Sequence, residues 1–429
     1  MRAAAPTKFA IPHMKVLHII GTVDLRTGGP IEGVISSSEV WRRHGFERHI
    51  LSLDAPEAPC VANSPVQTFG AGWSGAFYRF LQRRFSWLRY GYSPHLTTWL
   101  AKNASSYDAV VINMLWNYTS IGAWRGLRKL DVPYFVFPHG SLDPWFNFAY
   151  PVKTIFKRFY WKCLEHKVLR DATGVLFTCE EERILAQKSF SPYVAREFVV
   201  GYGTRDVEGN PEEQIAAFFK QVPQAENQKI ILYLSRIHEK KGVDILIEAF
   251  ASLAADCPEW NLIVAGPDQS GLVATLKQRC DKLGIGDRIY WPGMLVGDAK
   301  WGAFRAAEFF VLPSHQENFG IAVAEAMALA RPVLITNKVN IWREIEADGA
   351  GVVVNDDVEG VARGLRMMLE QSPDERKSMG RRARSCFLTR YDLEKNAMDL
   401  LALMSREIGK DVAGLTESAA AGASEFLAR

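Results

Sequence analysis

Short apolar runs rich in β-branched residues alternate with helical patterns along most of this chain. Because parallel strands need crossover connections, which are usually helices, this alternation predicts βαβ units and parallel sheets. The runs form two series, which predicts an α/β protein with two doubly wound, Rossmann-like domains. The first series occupies 16–20, 49–53, 109–113, 134–137 and 174–178, and the second occupies 229–234, 260–265, 288–291, 309–312 and 332–335.

A chain of 429 residues is too long for one ordinary hydrophobic core, which also favours two domains. A polar stretch separates the two series and places a linker within 202–228. We therefore expect an N-terminal domain over 1–208 and a C-terminal domain over 225–386. The Ala-, Gly- and Ser-rich end, 410–429, is expected to be disordered.

Composition excludes several classes of protein. A net charge of +3 and a pI near 8.4 argue against a nucleic-acid binder. The six cysteines form no C-x-x-C pair and suggest a reducing compartment. No apolar run approaches the roughly 18–20 residues that span a bilayer, and no signal peptide is evident. We expect a cytoplasmic protein.

The stretch from Phe309 to Met327 says most about function. It reads as a buried strand, a loop carrying Glu317 and a helix carrying Glu325, an arrangement that presents backbone N–H groups to an anion. The carboxylates can accept hydrogen bonds from hydroxyls on different parts of one ligand. Phosphate plus hydroxyls suggests a sugar nucleotide. The plainer alternative is that Glu325 is a surface residue. The expected phosphate-facing N–H groups belong to Phe319, Gly320 and Ile321.

A basic loop follows the first strand of the second series. Arg236 there can grip phosphate with its planar guanidinium, and Lys241 can add a point charge. The alternative is a solvated basic turn. The neighbouring Lys240 is not expected to bind the ligand.

In the first series, Gly28 and Gly29 follow the first strand, and His139 follows the strand at 134–137. Glycines let backbone approach a ligand, but a plain βα turn explains them about as well. A lone histidine is more often structural, although the carboxyl end of a parallel strand is where ligands bind.

The segment 77–90 carries four arginines, six aromatic residues and no acid. A basic aromatic helix suits an anionic membrane surface, and a second basic stretch at 153–162 supports that interpretation. A core-packed helix with a solvated edge is the alternative. The expected membrane contacts are Arg79, Arg83, Arg84, Trp87 and Arg89. No D-x-D motif follows a strand, so we expect neither an essential metal nor a cofactor.

These motifs resemble those of the family 4 glycosyltransferases, retaining enzymes of the GT-B fold. The resemblance rests on the E-x7-E spacing of Glu317 and Glu325, on Arg-x4-Lys-Gly from Arg236 to Gly242, and on the turn at 264–268. It implies that the two domains face an interdomain cleft. It also implies that Arg236 and Lys241 hold a donor diphosphate, that Glu317 contacts the donor sugar and that Glu325 contacts the ribose.

The resemblance adds further roles. It places His139 beside the donor sugar, Gly28 and Gly29 near the diphosphate and acceptor, and Gly266 in a small-residue turn. Backbone at Met294 would meet the base, and a C-terminal helix at about 387–404 would pack back on the first domain. The chain departs from the family pattern at Tyr202 and Asn318, so the resemblance assigns no clear role to these two residues.

The expected function is a metal-independent, retaining transfer of a sugar from a UDP- or GDP-linked donor. The acceptor would be a glycan or a polyprenyl-linked molecule in polysaccharide or lipopolysaccharide biosynthesis. The protein would be cytoplasmic and peripheral on the inner face of the plasma membrane. The alternatives are a sugar-nucleotide 2-epimerase of the same architecture and a non-catalytic sugar-nucleotide sensor.

Overall fold

The computed structural model describes residues 14–75, 84–85 and 90–410. The chain divides into two compact units. The first contains the residues up to Thr178, then Glu182–Gly201 and the residues from Leu393 onward. The second contains Cys179–Glu181 and Tyr202–Asp392. The division between Gly201 and Tyr202 falls at the start of the stretch in which we expect the linker.

A seven-stranded parallel sheet forms the centre of the first unit, in the order β3-β2-β1-β4-β5-β6-β7. The order reverses between β1 and β4, so the carboxyl ends of these neighbours open a crevice of the kind where α/β sheets bind ligands. The strands are β1 Lys15–Ile20, β2 Glu47–Ser52, β3 Thr68–Gly70, β4 Ala109–Asn113, β5 Tyr134–Phe137, β6 Gly174–Phe177 and β7 Glu197–Val199.

Helices connect these strands. The last helix packs against the first, where the indole N–H of Trp41 donates to the carbonyl of Ala397 at 2.8 Å. This last helix begins at Leu393, after a π-helical turn over Phe387–Tyr391 that belongs to the second unit. The helices are Pro30–Arg43, Pro59–Ala62, Pro94–Asn103, Tyr118–Leu127, Trp145–Ala149, Pro151–Tyr160, His166–Arg170, Glu180–Gln187 and Leu393–Glu407.

The second unit is built on a six-stranded parallel sheet in the order β10-β9-β8-β11-β12-β13. Here the order reverses between β8 and β11, so the two sheets repeat the same arrangement. Two doubly wound α/β units are thus confirmed. The strands are β8 Lys229–Leu234, β9 Trp260–Ala265, β10 Ile289–Gly293, β11 Phe309–Leu312, β12 Val333–Thr336 and β13 Gly351–Val354.

The stretch expected as a linker contains a helix, Pro211–Gln221. Asn210 caps it through the backbone N–H of Glu212, and Pro211 occupies its first turn. The helix lies so close to a neighbour that a Cβ on Gly302 would be 1.8 Å from the carbonyl of Gln214. The remaining helices are Val243–Leu253, Leu272–Lys282, Gly297–Ala306, Ile321–Ala328, Trp342–Ala347, Val358–Glu370 and Pro373–Cys386.

Candidate functional site

The loop after β8 is fixed by its neighbours. A Cβ on Gly266, which has φ of 144°, would lie 1.8 Å from the carbonyl of Ser235, so this position requires glycine. The N–H of Gly266 donates to Gly293 at 2.8 Å, and that of Ile237 donates to Pro267 at 2.9 Å. The loops following β8, β9 and β10 are therefore bound together, and they hold the backbone of Arg236 between them.

The side chain of Arg236 is exposed and donates to Gln269 Oε1 at 3.3 Å. Its positive charge contributes to lowering the pKa of Lys241. An exposed cation with a planar donor group suits an incoming phosphate.

Lys241 lies in a short 3-10 turn that ends at Gly242. Gly242 has φ of 67°, and a Cβ there would lie 2.0 Å from the carbonyl of Pro313, so the turn packs directly on the end of β11. This brings the ammonium of Lys241 into an ion pair with Glu317. Burial, followed by the charges of Lys240 and Arg236, lowers the pKa of Lys241 to about 7. The contact with Glu317 acts in the opposite direction, because it favours the charged ammonium.

Two backbone hydrogen bonds hold the loop at Glu317. Its N–H donates to Lys338 at 2.9 Å, and its carbonyl accepts from the N–H of Asn340 at 3.0 Å. Two residues on, the buried ring of Phe319 packs edge-to-face on Tyr202, with centroids 5.2 Å apart. Tyr202, where the chain departs from the family pattern, thus supports this loop through packing.

Gly320 begins the helix Ile321–Ala328 in a left-handed conformation with φ of 79°. No side chain among the described residues caps this helix end. The N–H groups of its first turn and the positive end of the helix dipole lie close to Glu317, an arrangement that suits an anion. Asn318, in the same loop, accepts a 3.4 Å hydrogen bond from Asn340 through its side-chain oxygen.

Glu325 is not the surface residue of the plainer alternative. It is 6% exposed, and its Oε1 lies 2.6 Å from the ammonium of Lys300. Lys300 was missed from the sequence, because a single lysine in a helix between ordinary residues carries no local signal. The ion pair with Lys300 therefore holds the Glu325 carboxylate on the buried face of its helix.

In the first unit, His139 has a left-handed backbone with φ of 50° and stacks on Phe137 at 4.3 Å between ring centroids. Its Nε2 lies 3.1 Å from Asn113 Oδ1. The Asn113 amide donates to the carbonyls of Ile19 and Val111, so its oxygen faces the ring and Nε2 is the donor. Burial lowers the pKa of His139 to about 3, so the imidazole is neutral at pH 7.

The loop after His139 is anchored by a residue missed from the sequence. Glu182 is buried and accepts from the N–H of Gly140 at 2.6 Å and from the N–H of Thr178 at 2.8 Å. In the sequence it stands in the run Glu180-Glu-Glu182, which looks like an ordinary solvated helix start. Its only distinguishing signal is its place in the turn after a strand.

Gly28 and Gly29 both have positive φ, of 67° and 58°, and a Cβ on either would meet no atom within 4 Å. Glycine is therefore needed here for backbone conformation rather than for space. Gly29 is the N-cap of the helix Pro30–Arg43.

A second buried carboxylate lies near the end of β4. Glu165 Oε1 accepts from the N–H of Trp116 at 2.9 Å and from the Ser120 hydroxyl at 2.8 Å. Burial raises the pKa of Glu165 to about 7. Met114 and Trp116 both have positive φ, of 68° and 72°, which is strained backbone for such side chains.

Comparison with known proteins covers both units. The family model of glycosyl transferases group 1 matches residues 214–386, and the model of the glycosyl transferase 4-like domain matches residues 28–203. The chain belongs to the family 4-like glycosyltransferases.

Curated relatives match over part of their length. The chain is 32% identical to mannosylfructose-phosphate synthase of Agrobacterium fabrum over 146 residues, which is 33% of this chain and 32% of that protein. It is 29% identical to the lipopolysaccharide core biosynthesis mannosyltransferase LpsB of Rhizobium meliloti over 153 residues, which is 34% of this chain and 43% of that protein. The matches thus cover 32% and 43% of the length of these relatives.

Solved structures of low identity share the fold of this glycosyltransferase family member. Sucrose-phosphate synthase from Thermosynechococcus elongatus aligns with a TM-score of 0.67 at 16% identity, covering 92% of this chain and 98% of that one. HepE from Anabaena, solved in complex with UDP and glucose, aligns with a TM-score of 0.68 at 17% identity, covering 92% and 100%. These likenesses confirm the GT-B fold.

In this member of the family, the expected site residues divide between the two units. Lys241 and Glu317 are in contact, Arg236 is near Lys241, and Glu325 is paired with Lys300 instead. All of these belong to the second unit, as does Met294, which is 66% exposed after β10. The first unit contains Gly28, Gly29 and His139.

The expected membrane contacts are only partly within the described residues. Arg84 is described and exposed, whereas Arg79, Arg83, Trp87 and Arg89 lie outside the described ranges. Across residues 14–75, 84–85 and 90–410, no helix combines the length and the apolar character needed to cross a bilayer.

Proposed function

We propose that the protein transfers a sugar from a nucleotide diphosphate sugar to a glycan or lipid-linked acceptor. The observation that carries this proposal is the ion pair between buried Lys241 and partly buried Glu317, beside the helix start at Gly320. A cation and backbone N–H groups suit a diphosphate, and an adjacent carboxylate suits the hydroxyls of the attached sugar.

Charge stabilisation is the main task of the proposed site. As the donor bond breaks, negative charge develops on the departing diphosphate. Arg236, Lys241 and the N–H groups near Gly320 would stabilise that charge. Glu317 would accept from sugar hydroxyls, and Glu325, held by Lys300, would accept from the ribose.

We further propose that the reaction retains the anomeric configuration and needs no metal. None of the carboxylates placed in the site has an obvious role as a covalent nucleophile. The acceptor would therefore attack from the face of the leaving diphosphate, whose oxygen would take the acceptor proton. His139, neutral at pH 7, would add a polar but uncharged contact beside the sugar.

The acceptor and its pathway are proposed more broadly. The name of one relative, a lipopolysaccharide core mannosyltransferase, supports a role in lipopolysaccharide or polysaccharide assembly. An acceptor carried on polyprenyl would place the protein at the cytoplasmic face of the plasma membrane, in contact with anionic lipid.

A nucleotide screen followed by product analysis tests the proposal. The matching nucleotide, UDP or GDP, should raise the melting temperature through mass action, and Arg236→Ala should abolish that rise. With the matching donor sugar, product should appear only when an acceptor is added. A modified sugar released without acceptor would instead indicate the 2-epimerase. Tight nucleotide binding without turnover on a panel of glycan and polyprenyl phosphate acceptors would indicate a sensor.

A further inference from the structure

The helix Pro151–Tyr160 turns its apolar side away from the protein. Val152, Ile155, Phe156 and Phe159 recur at the spacing that places residues on one helix face, and they are 69%, 68%, 73% and 73% exposed. Phe148, in the helix just before, is 83% exposed. A surface helix normally buries such a face against the core, so this orientation is inverted.

The opposite face is firmly anchored. Thr154 is buried and donates to the carbonyl of Asn147, in the preceding helix, at 3.3 Å. The ammonium of Lys157 lies 4.5 Å from the centre of the Trp116 ring. The hydroxyls of Tyr160 and Tyr90 are hydrogen-bonded to each other. The apolar face is therefore held outward by contacts on the other side.

The size of the exposed face exceeds what isolated surface residues would give. Three phenylalanine side chains, each more than 70% exposed, present on the order of 300 Å² of apolar area or more. Contiguous patches of a few hundred Å² mark interaction sites on soluble proteins.

The charges around this face select the partner. Lys153, Arg158 and Lys162 are exposed beside the aromatic residues. Between Asp143 and Glu165 the sequence has no acidic residue, and both of these acids are buried. Apolar side chains interleaved with cations fit the boundary between anionic headgroups and acyl chains. A helix of 10 residues is only about 15 Å long, so it would lie in the membrane plane.

We propose that the helix Pro151–Tyr160, with Phe148, is a membrane-docking surface that inserts its aromatic residues into an anionic phospholipid bilayer. The sequence placed the principal contact at Arg79–Arg89, with 153–162 only in support. The inference is independent of sugar transfer, because it rests on exposure and charge alone.

Flotation of the full chain with vesicles tests this surface. The protein should bind vesicles of phosphatidylglycerol and phosphatidylcholine in preference to phosphatidylcholine alone, and binding should weaken with added salt. Phe156→Ser with Phe159→Ser should reduce partitioning at least 10-fold. Lys153→Ser, Arg158→Ser and Lys162→Ser together should reduce it on the order of 100-fold on anionic vesicles, since each basic residue contributes about fivefold.

Matched controls lie in the second unit. Met367→Ser removes an apolar side chain that is 54% exposed, and Lys277→Ser, Lys377→Ser and Arg381→Ser together remove the same charge from exposed positions. Both should bind vesicles like the parent chain. Because all the substituted side chains are on the surface, melting temperatures should hardly change.

Three results would overturn the proposal. One is that the parent chain binds no anionic vesicle. Another is that the paired phenylalanine variant binds as well as the parent. The third is that the parent forms a dimer in solution which these substitutions dissociate, in which case the face is a contact between copies. The rise in melting temperature caused by nucleotide, measured on the same variants, shows separately whether the donor site is intact.

Discussion

The two sheets share one arrangement of strands, yet their carboxyl ends carry different chemistry. In the second unit, two lysines form ion pairs with two largely buried carboxylates, Lys241 with Glu317 and Lys300 with Glu325. In the first unit, burial drives His139 and Glu165 toward their neutral forms. Burial lowers the pKa of His139 to about 3 and raises that of Glu165 to about 7.

This difference shows that topology sets the position of the site loops, whereas the local sequence sets their charge. Topology decides where loops converge, because parallel strands end at one edge. Burial disfavours charge in both units, Lys241 included, and in the second unit a carboxylate lies in contact with each lysine and favours its charged form. The second unit thus retains charged groups suited to an anion, whereas the first offers neutral contacts suited to hydroxyls.

The largest expected effect comes from breaking the Lys241–Glu317 pair. Lys241→Met and Glu317→Gln should each lower the rate of transfer at least ~100-fold, the size seen when a transition-state contact is lost. Each should also lower the melting temperature, because one partner is left buried without its counter-charge. The double variant should regain much of that stability but none of the rate.

Steady-state kinetics and thermal melts on the three variants separate these effects. Glu239→Gln, at an exposed position in the same turn, is the control and should behave like the parent. Near-normal turnover in either single variant would contradict the role of the pair. Recovery of rate in the double variant would show that the pair only supports the fold.

The neutral imidazole of the first unit should appear as a pH dependence of stability. The pKa of His139 falls from an ordinary 6.5 to about 3 in the folded protein. Between these values the unfolded chain binds more protons, so stability rises with pH. We expect this residue to add about 2 kcal/mol to the increase in unfolding free energy between roughly pH 4.5 and 7.5.

Urea unfolding at the two pH values measures that increase. In His139→Gln the increase should be smaller by the stated amount, while His95→Gln, at an exposed position, controls for loss of an imidazole. An unchanged increase in His139→Gln would mean that folding does not shift the pKa of the ring, and the contrast between the units would fail.

The central strands were predictable from sequence, but three edge strands were not. Most interior strands are fully buried apolar runs, such as Ala109–Asn113, which give a strong signal. The missed strands, Thr68–Gly70, Glu197–Val199 and Gly351–Val354, lie at sheet edges, span three or four residues and are mostly half-buried. Such strands bury too little to leave a pattern.

The same contrast holds at the site. Glu317 and Glu325 could be proposed from the sequence because their spacing ties them to a strand, a loop and a helix. Lys300 and Glu182 reach their partners through tertiary contacts, 25 and 42 residues away along the chain. No local pattern encodes such pairings, so only the fold reveals them.

Lys300 offers a smaller effect in the second unit. As a positioning residue for Glu325, it should act on donor binding, and Lys300→Met should raise the donor KM about 10-fold, as expected for loss of a charged hydrogen bond, with kcat within about twofold. Lys300→Arg should restore most of the affinity, and the exposed Lys277→Met should have no effect. If Lys300→Met lowered both kcat and the melting temperature but left KM unchanged, Lys300 would have a purely structural role.

The smallest effect belongs to Glu165, and its sign is opposite to that of His139. Because the pKa of Glu165 rises from 4.5 to about 7, the folded protein binds more protons in this interval, and stability falls as pH rises. Between about pH 6 and 7.5 this loss should be about 1 kcal/mol. Glu165→Gln keeps an oxygen for the Trp116 and Ser120 donors but cannot ionise, so the loss should vanish in urea unfolding. If the variant keeps the parent's slope over this interval, the carboxylate is already charged at pH 6, and the first unit tolerates a buried charge as the second does.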